Sequence, residues 1–220
     1  MADARGEKTA PTVQSEAKSK GERTRHRLMD VAYQAVVRKG FAATSIEELV
    51  EAAGITKSGF FYHFRDKNDL ARQLLDRYQA ENDVFQAGLA ARARELSDDP
   101  LHRFLIFLKL YAEAMEAVLD QHPGCIVATI TFQDQAFDRE VRRRNADGVM
   151  IWRTFFLAWL EEIAAAYPPH IEVDLVTLAD AVFGITSSGL TMAKTLEDPK
   201  ILVGQLLLYR DSIRLIFAPR

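Results

Sequence analysis

Residues 54–67 read GITKSGFFYHFRDK. Phe60, Phe61 and Tyr62 run straight into His63 and Phe64, with Lys57 before them and Arg65 and Lys67 behind. Thr56 is a ready N-cap, so a helix starts at this point. Helical spacing then sorts the side chains. Phe60 and Phe64, at i and i+4, share an inward face, while Ser58, Phe61, Tyr62 and Arg65 fall together on another. A core helix of a monomer rarely exposes such a face, and its cations suit an anionic partner. His63 does not bring catalysis or metal binding with it. No HExxH, no cysteine pair and no serine or aspartate in triad order accompanies it.

Working outward, the preceding segment TSIEE offers a capping box through Thr44 with Glu47 or Ser45 with Glu48. Ile46, Leu49, Val50 and Ala53 then face inward, and Gly54 ends that helix. Further back, Leu28, Val31, Ala32, Ala35 and Val36 form one apolar stripe from Thr24 to about Lys39, which Gly40 terminates. Two short helices joined by a tight turn make a helix-turn-helix, whose second helix enters the major groove of DNA.

Residues 24–70 resemble the DNA-binding domain of the TetR family of bacterial transcriptional regulators. The likeness lies in the opening Thr-Arg, the Gly-Phe before TSI, the AAGI turn, the YHF ending and the lysine of DK. It implies three DNA-binding helices followed by a larger helical domain that binds a small molecule and dimerises. Carried over, the recognition helix is Lys57 to His63, with Lys57, Ser58 and Gly59 nearest the base edges. Ser45, Thr56, Tyr62, His63 and Lys67 resemble phosphate-contacting positions, as hydroxyls and cations that hold the backbone register. Thr44 and Phe61 complete the expected DNA-contacting set. Many members carry two consecutive tyrosines where this chain has Phe61 and Tyr62, so Phe61 is expected against a sugar or a thymine methyl.

The rest of the chain also repeats apolar residues at helical spacing, and alternating strand patterns are missing. The expected fold is all-α, with nine or ten helices: a tail over 1–20, a helix-turn-helix domain over 21–68 and a helical effector-binding and dimerisation domain over 69–220. Within the last, Phe104, Phe107, Leu108 and Tyr111 form one stripe and Trp152, Phe155, Phe156, Trp159 and Ile163 another, with Phe132 and Phe183 added. Singly, each reads as ordinary core. Together, with Thr129, Gln133, Ser187 and Ser188 as polar markers, they suit a mostly apolar pocket, and the resemblance implies an effector site there for a hydrophobic or aromatic molecule.

Cys125, in HPGCIVATI, reads either as a small buried hydrophobe or as a reactive thiol near His122. Leu202, Leu206, Tyr209, Ile213 and Phe217, beside the small residues Gly184, Ser188 and Thr191, read as a dimer interface built by the last two helices. REVRRR, residues 139–144, reads as a solvated face.

Composition sets the outer limits. Of 220 residues, 48% are hydrophobic and 27% charged, as in a soluble globular protein. The net charge of −3 argues against coating nucleic acid with the whole surface. Residues 1–70 nonetheless hold 12 Lys and Arg against 10 Asp and Glu, leaving the acidic excess to the remainder. The single cysteine allows no internal disulfide. The first residues lack a signal-type apolar segment and no apolar run approaches membrane length, so a cytoplasmic chain without an anchor is expected. The expected partners are palindromic double-stranded DNA, a small-molecule effector and a second copy of the chain; no cofactor, metal site or catalytic residue is expected.

Overall fold

The computed structural model describes residues 19–118 and 124–218. The expected tail, the helix stop near Leu119 and His122 lie outside them. Among the described residues are nine α-helices and no strand. The first three are α1 (Lys20–Lys39), α2 (Ile46–Ala52) and α3 (Lys57–His63); α4 (Lys67–Leu96) then runs for 30 residues, or about 45 Å. α5 (Pro100–Val118), α6 (Ile126–Phe132), α7 (Arg139–Ala166), α8 (Leu175–Thr195) and α9 (Lys200–Phe217) follow, with a 3-10 turn at Asp134–Ala136.

Caps written in the sequence place most of these starts. Ser45, Thr56, Asp66 and Asp138 each accept a backbone N–H from the first turn of α2, α3, α4 and α7. α1 begins earlier than Thr24, because Ser19 and Glu22 close a reciprocal capping box.

Two apolar cores meet along the molecule. One gathers α5, α7, α8, α9 and the far half of α4 around Phe104, Phe107, Phe156 and Trp159. The other holds Leu28, Leu49, Phe60 and Phe64 of the first three helices with Leu70 and Leu74 of α4. It also takes in Ile126, Val127 and Ile130 of α6 and Val141 of α7, so packing does not divide at residue 68. Ion pairs brace the same junction. Arg77 of α4 reaches Asp30 of α1 at 2.6 Å, and the buried Arg72 reaches Asp138 at the start of α7 at 2.7 Å.

One close approach fixes α6 on the first domain. Gln133, just past the end of α6, accepts the backbone N–H of Phe41 through Oε1 at 2.8 Å. Gly40 sits beside it at φ 87° and ψ 160°, a conformation open essentially to glycine alone. A Cβ there would lie 2.1 Å from Nε2 of Gln133.

The expectation that no segment is of membrane length needs correcting for α8. Apart from Asp180 and Lys194 it is uncharged, and by length and composition it is apolar enough to cross a bilayer. It packs against α7 and α9, and much of its remaining surface is open.

Gly40→Ala should therefore lower the free energy of unfolding by about 1–3 kcal/mol from backbone strain alone, with the Gln133 clash added. Thermal denaturation followed by circular dichroism would measure it.

Candidate DNA interface and helical cavity

The α3 helix is amphipathic in the sense its spacing predicts. Phe60 and Phe64 are fully buried, their rings 5.5 Å apart. Phe61 is half exposed and Tyr62 is 82% exposed. Ser58 and Arg65 are exposed on the same side. Lys57 pairs with Glu47 of α2 at 2.6 Å, and both side chains are well exposed, so the pair is weak and readily exchanged for a phosphate or base edge. The Thr56 hydroxyl accepts the N–H of Gly59 at 3.1 Å and lies 2.9 Å from the Ser58 hydroxyl. Ser45 likewise accepts the N–H of Glu48, which leaves its O–H free to donate.

Three of the expected contacts behave differently. Thr44 is buried at 1% exposure, and its hydroxyl donates to the carbonyl of Gly40 at 2.8 Å; it staples the α1–α2 loop and has no route to DNA. Lys67 lies 4.4 Å from the Phe41 ring centroid and donates to the Phe41 carbonyl at 2.9 Å. Its ammonium pKa is lowered by burial and by Lys39, and two N–H donors remain for a phosphate. Partial burial and Arg25 lower the His63 pKa, so its imidazole is neutral near pH 7 and can donate a hydrogen bond without bringing charge.

The second feature is a cavity of about 400 Å³ in the helical half. Tyr33 of α1 closes one side, and Tyr78, Glu81, Asn82 and Phe85 line it from α4. Tyr111 and Met115 come from α5, Trp152 from α7, and Phe183, Thr186, Ser187 and Leu190 from α8; Cys125 enters at the head of α6. Two of its phenols hydrogen-bond within the protein. Tyr33 donates to the Gly124 carbonyl at 3.5 Å and Tyr111 to Thr186 at 3.4 Å. Burial pushes the Tyr33 phenol up to about 12 and also raises Tyr78, Tyr111 and the Cys125 thiol.

Of the residues expected to bind a ligand, Tyr111, Cys125, Trp152, Phe183 and Ser187 line the cavity. Phe104, Phe107, Phe156 and Trp159 do not; they stack on one another as core, with centroid spacings of 5.5 to 6.3 Å. Arg94 and Arg103 cover the Trp159 ring from outside, each 5.5 Å away. Phe155 packs against that cluster. Thr129 donates to the Cys125 carbonyl within α6. Phe132 is 87% exposed at the end of α6 and can touch nothing in the cavity. Tyr33, Tyr78, Asn82 and Phe85 went unread as ligand residues, since Tyr33 lies in the DNA-binding part and the others on a long, largely polar helix.

Residues 28–74 match the family described as bacterial regulatory proteins, tetR family. This part of the chain is a TetR-family N-terminal region. Among curated TetR-type relatives, ArpR of Pseudomonas putida, named as a probable HTH-type transcriptional regulator, is 26% identical over 90% of this chain and 87% of its own length. The HTH-type transcriptional regulator AcrR of Shigella flexneri is 25% identical over 56% of this chain, and the match spans about half of AcrR, 55%. The HTH-type transcriptional repressor KstR2 of Mycobacterium tuberculosis is 23% identical over 69% of this chain and 73% of its own. Two solved structures share the fold. A TetR-family regulator from Agrobacterium tumefaciens superimposes with a TM-score of 0.73 at 19% identity, over 90% of this chain and 100% of its own. Reduced Escherichia coli NemR gives 0.70 at 18%, over 90% and 98%.

The two faces of α3 should separate in stability. Phe60→Ala should cost about 3–5 kcal/mol, whereas Tyr62→Ala should stay within about 0.5 kcal/mol of the parent. Urea denaturation monitored by far-UV circular dichroism would show the contrast.

Proposed function

We propose that this protein is a homodimeric repressor that reads a palindromic operator through α3 and releases it when a small hydrophobic or aromatic molecule fills the cavity. One observation carries the reading. Phe60 and Phe64, which seat the recognition helix, share a core with α6, and Cys125 at the head of α6 lines the cavity. Tyr33 adds a second link, because it belongs to α1 and also walls the cavity. A ligand that moves α6, α1 or the start of α4 thereby alters the spacing of two recognition helices, which must stand about 34–36 Å apart to meet successive half-sites. DNA affinity falls by the difference in ligand affinity between the two arrangements. The name of the KstR2 relatives favours repression.

The dimer is assigned to the outer faces of α8 and α9, with a correction to the residues. Leu202, Leu206, Tyr209, Ile213 and Phe217 are buried within the protomer, which leaves them unavailable to a partner. The outward stripe on α9 is Gly204, Leu208 and Leu215, the two leucines 68% and 75% exposed. Beside it, Gly184, Ser188 and Thr191 expose a small-residue face on α8. Matching such faces about a two-fold axis makes a four-helix bundle.

Cys125 acts here as a wall residue. A thiol whose pKa is raised by burial is a poor nucleophile, so Cys125→Ser should keep both operator binding and release.

Fluorescence anisotropy against the DNA upstream of its own gene, beside a shuffled fragment, tests the reading. Tight binding to the upstream fragment alone, falling steeply with salt, is expected, with Lys57→Ala and Tyr62→Ala each weakening it at least tenfold. Equal, weak binding to both fragments and to genome-wide fragments would sink it. Leu208→Glu should convert the dimer to monomer in light scattering and abolish operator binding with it.

A further inference from the structure

The arginines of residues 139–144 face solvent, as a charge run should, but they are not spent alike. Arg144 is held by Asp76 and, at 3.8 Å, by Glu140. Arg139, Arg142 and Arg143 stand at i, i+3 and i+4, so they share one exposed face of the first turns of α7. No carboxylate among the described residues pairs with any of the three, and Arg142 reaches only the backbone carbonyl of Asp134, at 3.5 Å. The nearest acids in sequence are engaged elsewhere. Asp138 caps α7 and holds the buried Arg72 at 2.7 Å, and Glu140 lies 3.9 Å from the same guanidinium. Asp134 and Asp147 remain, and two carboxylates leave three guanidiniums with a net positive charge.

The placement of this face gives it a direction. α7 runs parallel to α4: Asn68 accepts the Asp138 N–H at 3.1 Å, Asp76 meets Arg144 and Gln79 lies beside Gly148, so the paired positions climb together from one end. That end of α4 carries Lys67, and α3 finishes just before it. The Lys67 ammonium lies 4.4 Å from the Phe41 ring centroid, and the Phe137 ring packs on Phe41 with centroids 4.3 Å apart. Arg139 is two residues beyond Phe137. The hydrogen bond from the Phe41 N–H to Gln133 fixes the same stretch. Three unpaired arginines therefore stand at the end of the molecule where α3 presents its exposed side chains, next to the cation of α4.

We infer that Arg139, Arg142 and Arg143 form a second phosphate-binding site, which takes the DNA backbone flanking the stretch read by α3. This rests on α3 meeting DNA, and it adds a contact surface from the helical half of the chain. A guanidinium presents a planar fork of donors that matches a phosphate, and one that holds no carboxylate has no pair to break first. Such contacts add affinity and register without reading bases.

Anisotropy of the full chain on two duplexes tests this across a salt series. One duplex ends at the outermost base pairs of the palindrome, and the other extends about 10 base pairs, one helical turn, past each side. The parent should bind the longer duplex at least tenfold tighter. Its salt slope there should be steeper by about 2 or more, since each subunit neutralises at least one further phosphate at about 0.9 apiece. The triple variant Arg139→Ala, Arg142→Ala, Arg143→Ala should bind the two lengths within about twofold of each other while matching the parent on the short one, which also shows that it folds. Replacing the same three by Lys should keep the preference for the longer duplex. A parent that binds both lengths equally, or an alanine variant that keeps the preference and the steeper slope, overturns the inference and leaves operator recognition by α3 standing. A parent that prefers no fragment over its shuffled counterpart defeats the regulatory reading, and the inference with it.

Discussion

The contact between α6 and the α1–α2 loop is the constraint on which the arrangement of the molecule turns. Gln133 takes the Phe41 N–H, and Gly40 leaves the space for it to do so. Behind that bond, Ile126, Val127 and Ile130 enter the same core as Phe60. A hydrogen bond of this kind contributes about 0.5–1.5 kcal/mol, so it sets position and register while burial of α6 provides most of the stability. The result is a short helix with its apolar face in the DNA-binding core and its first residue in the cavity wall.

Long α4 serves the same junction differently. Arg77 ties it to α1 and Arg72 ties it to the start of α7, while Asn68 accepts the N–H of Asp138 at 3.1 Å. Partly buried pairs hold geometry more reliably than exposed ones, because a broken partner leaves a charge uncompensated. The cavity lies alongside the tied segment, lined by Tyr78, Asn82 and Phe85 on successive turns. The cavity wall and the seat of α3 consequently share α1, α4 and α6 as neighbours.

Helix order, the helix-turn-helix and its exposed aromatic face were determined by the sequence alone, since caps and periodicity are local. Ser45, Thr56 and Asp66 act within one turn of themselves, and Phe60 and Phe64 need only helical spacing to share a face. Tertiary structure decided the rest. Stripes such as Phe104, Phe107, Phe156 and Trp159 look the same whether they fill a core or line a cavity, and only the packing of α4, α5, α7 and α8 left the space beside Tyr111 and Trp152 instead. Thr44 carries a capping residue's chemistry, yet the Gly40 carbonyl claims its hydroxyl. Leu202 and Leu208 lie on one apolar helix; which of them is left exposed depends on where α5 and α8 sit, because burial is a property of neighbours and not of a residue. Tyr33 and Asn82 join the cavity for the same reason, brought there by contacts between helices far apart in the chain.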